Sequence, residues 1–132
     1  MICGIGVDSV EIERFAGWSD YSLKKLSRIF SDEEIEYCLQ QKNKISERFA
    51  VRFAAREALF KAFSYAFPNY TIPFLTLCAR VVICKKNGKP FIVLRTNFSS
   101  FAIDLRSYAI HLSWTHARKN ATAFVIIEIK NV

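Results

Sequence analysis

Three residues of types suited to one piece of chemistry are Asp8, Glu57 and Lys61. Glu57 and Lys61 lie one turn apart in "RFAAREALFKAF", a stretch dominated by Phe, Ala and Leu. At that spacing both side chains share a helix face. A charge buried on such a helix is costly unless it is paired. Two explanations fit the pair. On an exposed face it is an ordinary Glu-to-Lys i,i+4 pair, worth about 0.2–0.5 kcal/mol. On a cleft wall, Glu57 holds a cation and Lys61 meets an anion. Asp8 adds a second acid. It is expected at the end of a first strand, "ICGIGV", where Gly4 and Gly6 allow close approach of another backbone or a ligand. An Asp there also suits a turn or a helix cap. Taken together, two carboxylates and a lysine suit Mg²⁺ held with water and substrate phosphate, the usual way of binding that ion.

The surrounding elements must bring these residues together. The long helix is expected over roughly Ser46 to Ala66, ended by Pro68. It is apolar nearly all round, as buried helices are, with Arg48, Arg52 and Arg56 as a separate stripe. Upstream, "VEIERF" suits a short helical turn. "SDYSLKKLSRIF" places Leu23, Leu26 and Phe30 on one face and Lys24, Lys25 and Arg28 on the other. Ser31 and Glu34 have the spacing of a capping box, which opens a helix with Ile35, Cys38 and Leu39. Downstream, "TLCARVVICKK" and "PFIVLRT" read as strands joined at Asn87-Gly88, the favoured pair for a tight hairpin. "SSFAIDLRS" suits a short helix. "YAIHLSW" and "ATAFVIIEI" suit two further strands. This order predicts α+β rather than a regular βαβ alternation.

A chain of 132 residues suits a single domain spanning 1–132. The net charge of +7 calls for anionic partners: nucleic acid, a phosphorylated small molecule, an acidic protein or a membrane surface. The four cysteines fit no zinc spacing and read as free thiols in a reducing compartment. "MICGIGVDSVEIER" lacks the basic start and apolar block of a signal peptide, and the run around "AFVII" is too short to span a bilayer. A cytoplasmic protein with no membrane partner is expected. His111 and His116 lie in or beside one alternating strand and suit hydrogen-bonded structural roles when taken singly.

The motifs "GIGVDSVEIERF", "RFAVRFAAREALFKAF", "NGKP" and "IHLSWTHARKNATAFVI" occur in order over nearly the full length. In this the chain resembles the holo-acyl-carrier-protein synthases, the short bacterial 4′-phosphopantetheinyl transferases. The resemblance implies a small α+β domain with a long buried helix against an antiparallel sheet, usually a homotrimer with sites between subunits. It implies transfer of phosphopantetheine from coenzyme A to a serine of apo-acyl carrier protein, with Mg²⁺ as cofactor, in support of fatty acid biosynthesis. Asp8 and Glu57 match the metal ligands, and Glu57 and Lys61 the catalytic pair. Arg52, Lys61, Ser64, Gly88, Pro90 and His111 match positions that line the coenzyme A site. Arg14, with the basic face of Lys24, Lys25 and Arg28, matches the dock for the carrier protein. Two departures stand out. Arg56 replaces the usual lysine before the helix Glu, and the segment after Lys61, "AFSYAFPNY", lacks the usual glycine turn. The rival classes are a basic nucleic-acid-binding module, which has no recognised motif here, and an inactive scaffold relative, which the intact Asp8, Glu57 and Lys61 disfavour.

Overall fold

The computed structural model describes residues 1–95 and 103–130. Strand β1 (Ile2–Glu11) opens the chain and is followed by a 3-10 turn, Ile12–Phe15. Three helices follow: α1 (Leu23–Leu26), α2 (Asp32–Leu39) and α3 (Ile45–Ala66). Next come α4 (Phe74–Ala79), a hairpin of β2 (Val81–Lys86) and β3 (Lys89–Leu94), and the long strands β4 (Tyr108–His116) and β5 (Asn120–Ile129). One antiparallel sheet has the order β1-β5-β4; the hairpin forms a second, two-stranded sheet. The expected α+β class, with a long helix against an antiparallel sheet, is what the chain adopts. Among the described residues, no helix is long and apolar enough to cross a membrane.

Helix α3 lies on the inner face of the three-stranded sheet. Ala54, Ala58 and Ala62 are fully buried, and small residues one turn apart let a helix approach closely. A side chain at Gly6 would put its Cβ 2.0 Å from the Ala58 carbonyl oxygen, and one at Gly4 2.4 Å from that of Ala62. The glycines therefore set the distance between β1 and α3. Ala121, Ala123, Val125 and Ile127 of β5 complete the same interface. Beyond α3, Phe15, Phe30, Phe49 and Phe53 pack with Trp18 into an aromatic cluster.

Several local expectations need correction. Asp8 lies inside β1, which runs on to Glu11. Helix α1 is a single turn, and Leu23 is exposed rather than turned inward; only Leu26 and Phe30 are buried. "TLCA" belongs to helix α4 and not to the first hairpin strand, because the chain turns helical directly after Pro73. The short helix expected within "SSFAIDLRS" lies partly outside the described residues; its described end is a 3-10 turn, Leu105–Ser107. The tight turn is as expected: Asn87 and Gly88 both have positive φ, 52° and 78°, and Lys86 pairs with Lys89 across a two-residue loop. The four cysteines are free. Burial pushes the thiols of Cys38 and Cys78 up to about 12, so both are inert at neutral pH.

Candidate active site

The α3–β1 contact brings together the three residues singled out from sequence. Strand residues alternate between faces. Gly4, Gly6 and Val10 face α3, and Asp8 shares their side of β1. Glycine at positions 4 and 6 brings the helix against the strand, and Asp8 is the next inward position along. There the Lys61 ammonium donates to Asp8 Oδ1 at 3.1 Å and to the Val7 carbonyl at 3.0 Å. The Asp8 side chain is 16% exposed and that of Lys61 53%. Asp8 Oδ2 is buried and has no hydrogen-bond partner among the described residues. Glu57, one turn before Lys61, has its carboxyl held above the ordinary value of 4.5. Partial burial is the main cause and the Asp8 charge the second; Lys61 and Arg14 oppose the rise.

This donor set fits a divalent cation. It offers a buried carboxylate oxygen without a partner, and a second carboxylate close enough for the two charges to repel. Among the described residues no group of three or more ligating side chains is present. A cation at Asp8 and Glu57 would therefore draw its remaining ligands from water and substrate oxygens, which suits Mg²⁺.

The other sequence-derived residues fall in three places. The Arg14 guanidinium lies 5.0 Å over the ring of Phe53 and 5.7 Å over Phe15, beside the carboxylates. Lys24, Lys25 and Arg28 are exposed as expected, with Lys25 stacked on Tyr21 at 3.9 Å. Arg52 is buried between the rings of Tyr37 (4.8 Å) and Trp114 (5.2 Å) and donates to the Arg48 carbonyl. It lines a cleft of about 400 Å³ together with Tyr37, Val82, Cys84 and Lys85. The hairpin that forms part of this cleft carries Gly88 at its tip and Pro90 on β3. Ser64 is exposed and its hydroxyl donates to the Phe60 carbonyl. His111 lies on the outer face of the sheet, paired with Glu128 at 2.9 Å. That face is opposite to Asp8, so within one chain His111 and the carboxylates are on different sides of the sheet.

One functional neighbour escaped the sequence. Arg56 is 1% exposed and Glu34 2%. The two terminal guanidinium nitrogens of Arg56 donate to the Glu34 carboxylate, and one also donates to the Val81 carbonyl. Glu34 meanwhile accepts from the Ser31 amide and hydroxyl. Arg56 thus points away from the carboxylates and ties α3 to α2 and β2. The capping box was visible in the sequence, but nothing in one chain's spacing signals a partner 22 residues away.

Residues 4–124 match the family model of the 4′-phosphopantetheinyl transferase superfamily. A holo-[acyl-carrier-protein] synthase of Treponema denticola is 36% identical over 128 residues, covering 97% of this chain and 99% of the relative. One of Clostridium tetani is 38% identical, with 97% of each chain covered. The chain belongs to the holo-[acyl-carrier-protein] synthase family of 4′-phosphopantetheinyl transferases. A solved holo-(acyl-carrier-protein) synthase from Bacillus anthracis, in complex with CoA (3′,5′-ADP), superimposes with a TM-score of 0.75 at 28% identity. It covers 98% of this chain and 99% of its own. The family is one of enzymes, and this chain is one of them. The synthase fold places α3 against β1, and on that contact stand Asp8, Glu57 and Lys61.

Proposed function

We propose that the chain moves 4′-phosphopantetheine from coenzyme A to a serine of apo-acyl carrier protein, releasing adenosine 3′,5′-bisphosphate, in support of fatty acid biosynthesis. The observation that carries this reading is the meeting of Asp8, Glu57 and Lys61 on facing elements. In the transfer, the serine oxygen bonds to the pantetheine-bearing phosphorus, and that phosphorus loses its bond to the bridging oxygen. Such a reaction needs positioning and charge neutralisation more than covalent help.

Asp8 and Glu57 would hold Mg²⁺. Bound there, the ion supplies positive charge to the diphosphate oxygens. Glu57, or a water held beside it, takes the serine proton. Lys61 stands one turn along and neutralises the departing phosphate. The partly buried setting makes each of these charges count for more than in water. Arg52, Ser64, Gly88, Pro90 and His111 are assigned to the coenzyme A molecule, and Arg14, Lys24, Lys25 and Arg28 to the carrier protein. Arg14, near Glu57, supports that placement for the carrier's serine.

A homotrimer is part of the proposal. Ile5, Val7 and Phe124 are exposed together on the outer sheet face, where Val7 pairs with Phe124. We assign this apolar face to contact between copies, with His111 on the same side. A His111 that faces a neighbouring copy is then able to serve that copy's coenzyme A. The decisive experiment incubates the chain with coenzyme A, Mg²⁺ and apo-carrier and follows the carrier's mass. The reading expects the carrier to gain the phosphopantetheine arm. No gain in mass at any Mg²⁺ concentration would refute it and favour a scaffold or nucleic-acid-binding role.

A further inference from the structure

We propose that Lys61 is a resident counter-ion: it competes with the divalent cation for Asp8 and yields when the coenzyme A diphosphate offers it another partner. The inference rests on the assignment of Asp8 and Glu57 as cation ligands and adds to it an order of binding. Lys61 does not hang free in the cleft. Its ammonium is fixed by two bonds, to Asp8 Oδ1 at 3.1 Å and to the Val7 carbonyl at 3.0 Å. One oxygen of the carboxylate is therefore already taken by a cation belonging to the chain. A divalent ion added at Oδ2 would place like charges on either side of one carboxylate, in a cleft where repulsion is stronger than in water.

Lys61 is built to move. Its side chain is 53% exposed, so it leaves without opening a cavity. Its four-carbon stem is flexible and its ammonium makes no planar, geometry-bound contact. Glu57, the acid one turn away, is committed to the same cation. The released ammonium is then left for the diphosphate. Without that anion, binding of the divalent ion carries the full penalty of displacing Lys61. With it, displacement is offset by a new ion pair. Such coupling is reciprocal: coenzyme A must tighten the cation by the factor by which the cation tightens coenzyme A.

The test uses the whole chain, without carrier protein, and Mn²⁺ as the probe ion read by electron paramagnetic resonance. Wild type should bind Mn²⁺ about tenfold more tightly with coenzyme A than without it. Lys61→Met should bind Mn²⁺ alone about tenfold more tightly than wild type and gain less from coenzyme A than wild type does, because only the diphosphate's own ligation of the ion remains. Lys61→Gln repeats the measurement if Lys61→Met does not fold. A second readout separates displacement from simple repulsion. Acetylation of the Lys61 amine, mapped by peptide mass, should quicken when Mn²⁺ is added alone and slow when coenzyme A follows. An unchanged Mn²⁺ affinity in both Lys61 variants, or labelling indifferent to Mn²⁺, overturns the inference while leaving the ligand assignment standing. Full Mn²⁺ binding by Asp8→Asn overturns the ligand assignment itself.

Discussion

Arg56→Met should be among the most damaging single changes to stability in this chain, although it touches no reacting group. Arg56 and Glu34 are almost wholly buried, and the guanidinium meets both carboxylate oxygens and the Val81 carbonyl. Removing the arginine leaves Glu34 buried with the Ser31 amide and hydroxyl and one long contact, to Arg52 Nε at 3.8 Å. Breaking a buried pair from one side costs about 3–5 kcal/mol, a large share of the roughly 5–15 kcal/mol that holds a typical domain. With an unfolding entropy of about 2.1 cal/mol/K per residue, a chain of 132 residues should lose roughly 11–18 °C in Tm. Replacing both partners, as Arg56→Met with Glu34→Leu, removes the stranded carboxylate and should restore part of the loss, as apolar replacement of buried pairs often does, with Arg52 keeping its bond to the Arg48 carbonyl but losing its 3.8 Å contact with Glu34. Calorimetry and urea unfolding at one fixed protein concentration measure both effects. A loss below about 1 kcal/mol in Arg56→Met, the size of an exposed pair, would refute the argument. So would a double variant no more stable than the single one.

Three further outcomes are expected. Gly6→Ala should lose about 1–3 kcal/mol by overpacking and most of its transfer activity, because the new Cβ meets the Ala58 carbonyl at 2.0 Å and must push α3 from Asp8. Gly17→Ala, with nothing within 4 Å, is the control, and wild-type unfolding and turnover in Gly6→Ala would contradict the packing argument. The Glu57 carboxyl, raised above 4.5 by burial and by Asp8, binds its proton more tightly folded than unfolded. Its contribution thus favours folding at low pH and is lost as pH rises through the folded value. Glu57→Gln should therefore unfold at higher urea than wild type at pH 7, the gap closing toward pH 4; a less stable variant at pH 7 reverses the sign and the argument. Arg14→Glu and the double change Lys24→Glu/Arg28→Glu should raise KM for the carrier protein and flatten its salt dependence, with KM for coenzyme A nearly unchanged. An unaltered carrier KM and salt slope would move the dock elsewhere, for example to the Arg48 and Arg52 side of α3.

The residues that meet at the candidate site were legible because each obeys a local rule. Glu57 and Lys61 are one helical turn apart, and the glycines before Asp8 mark a close approach. What was not legible depended on partners distant in sequence. Asp8 was expected to end its strand, as polar residues after apolar runs often do. Instead β5 continues the ladder to Glu11, opposite Asn120. Leu23 was expected inside from its spacing with Leu26, but one helical turn is too short to commit a face to the core. "TLCA" illustrates that a short apolar run does not distinguish strand from helix; the helix starting after Pro73 decided it. Arg56 keeps the charge of the lysine usual at its position, next in sequence to Glu57. Its bonds run to Glu34 and Val81 instead, an allegiance set by tertiary packing alone.

The sheet order β1-β5-β4 has a consequence for how the enzyme comes into being. Among the described residues strand β1 pairs with β5 alone, and the pairing joins Asp8 to Ala123. During synthesis β1 emerges well before β5, with every other strand and helix made between them. At about 5–20 residues per second, the strand that bears Asp8 waits several seconds for its neighbour. Helix α3 forms from local contacts in the meantime and can shelter the inner side of β1, but the backbone groups of the strand stay unpaired. The site is therefore completed only once β5 has left the ribosome, and a nascent chain halted before β5 carries both acids without the sheet that aligns them. Long-range pairing of this kind slows folding, and here it ties the onset of catalysis to the arrival of β5.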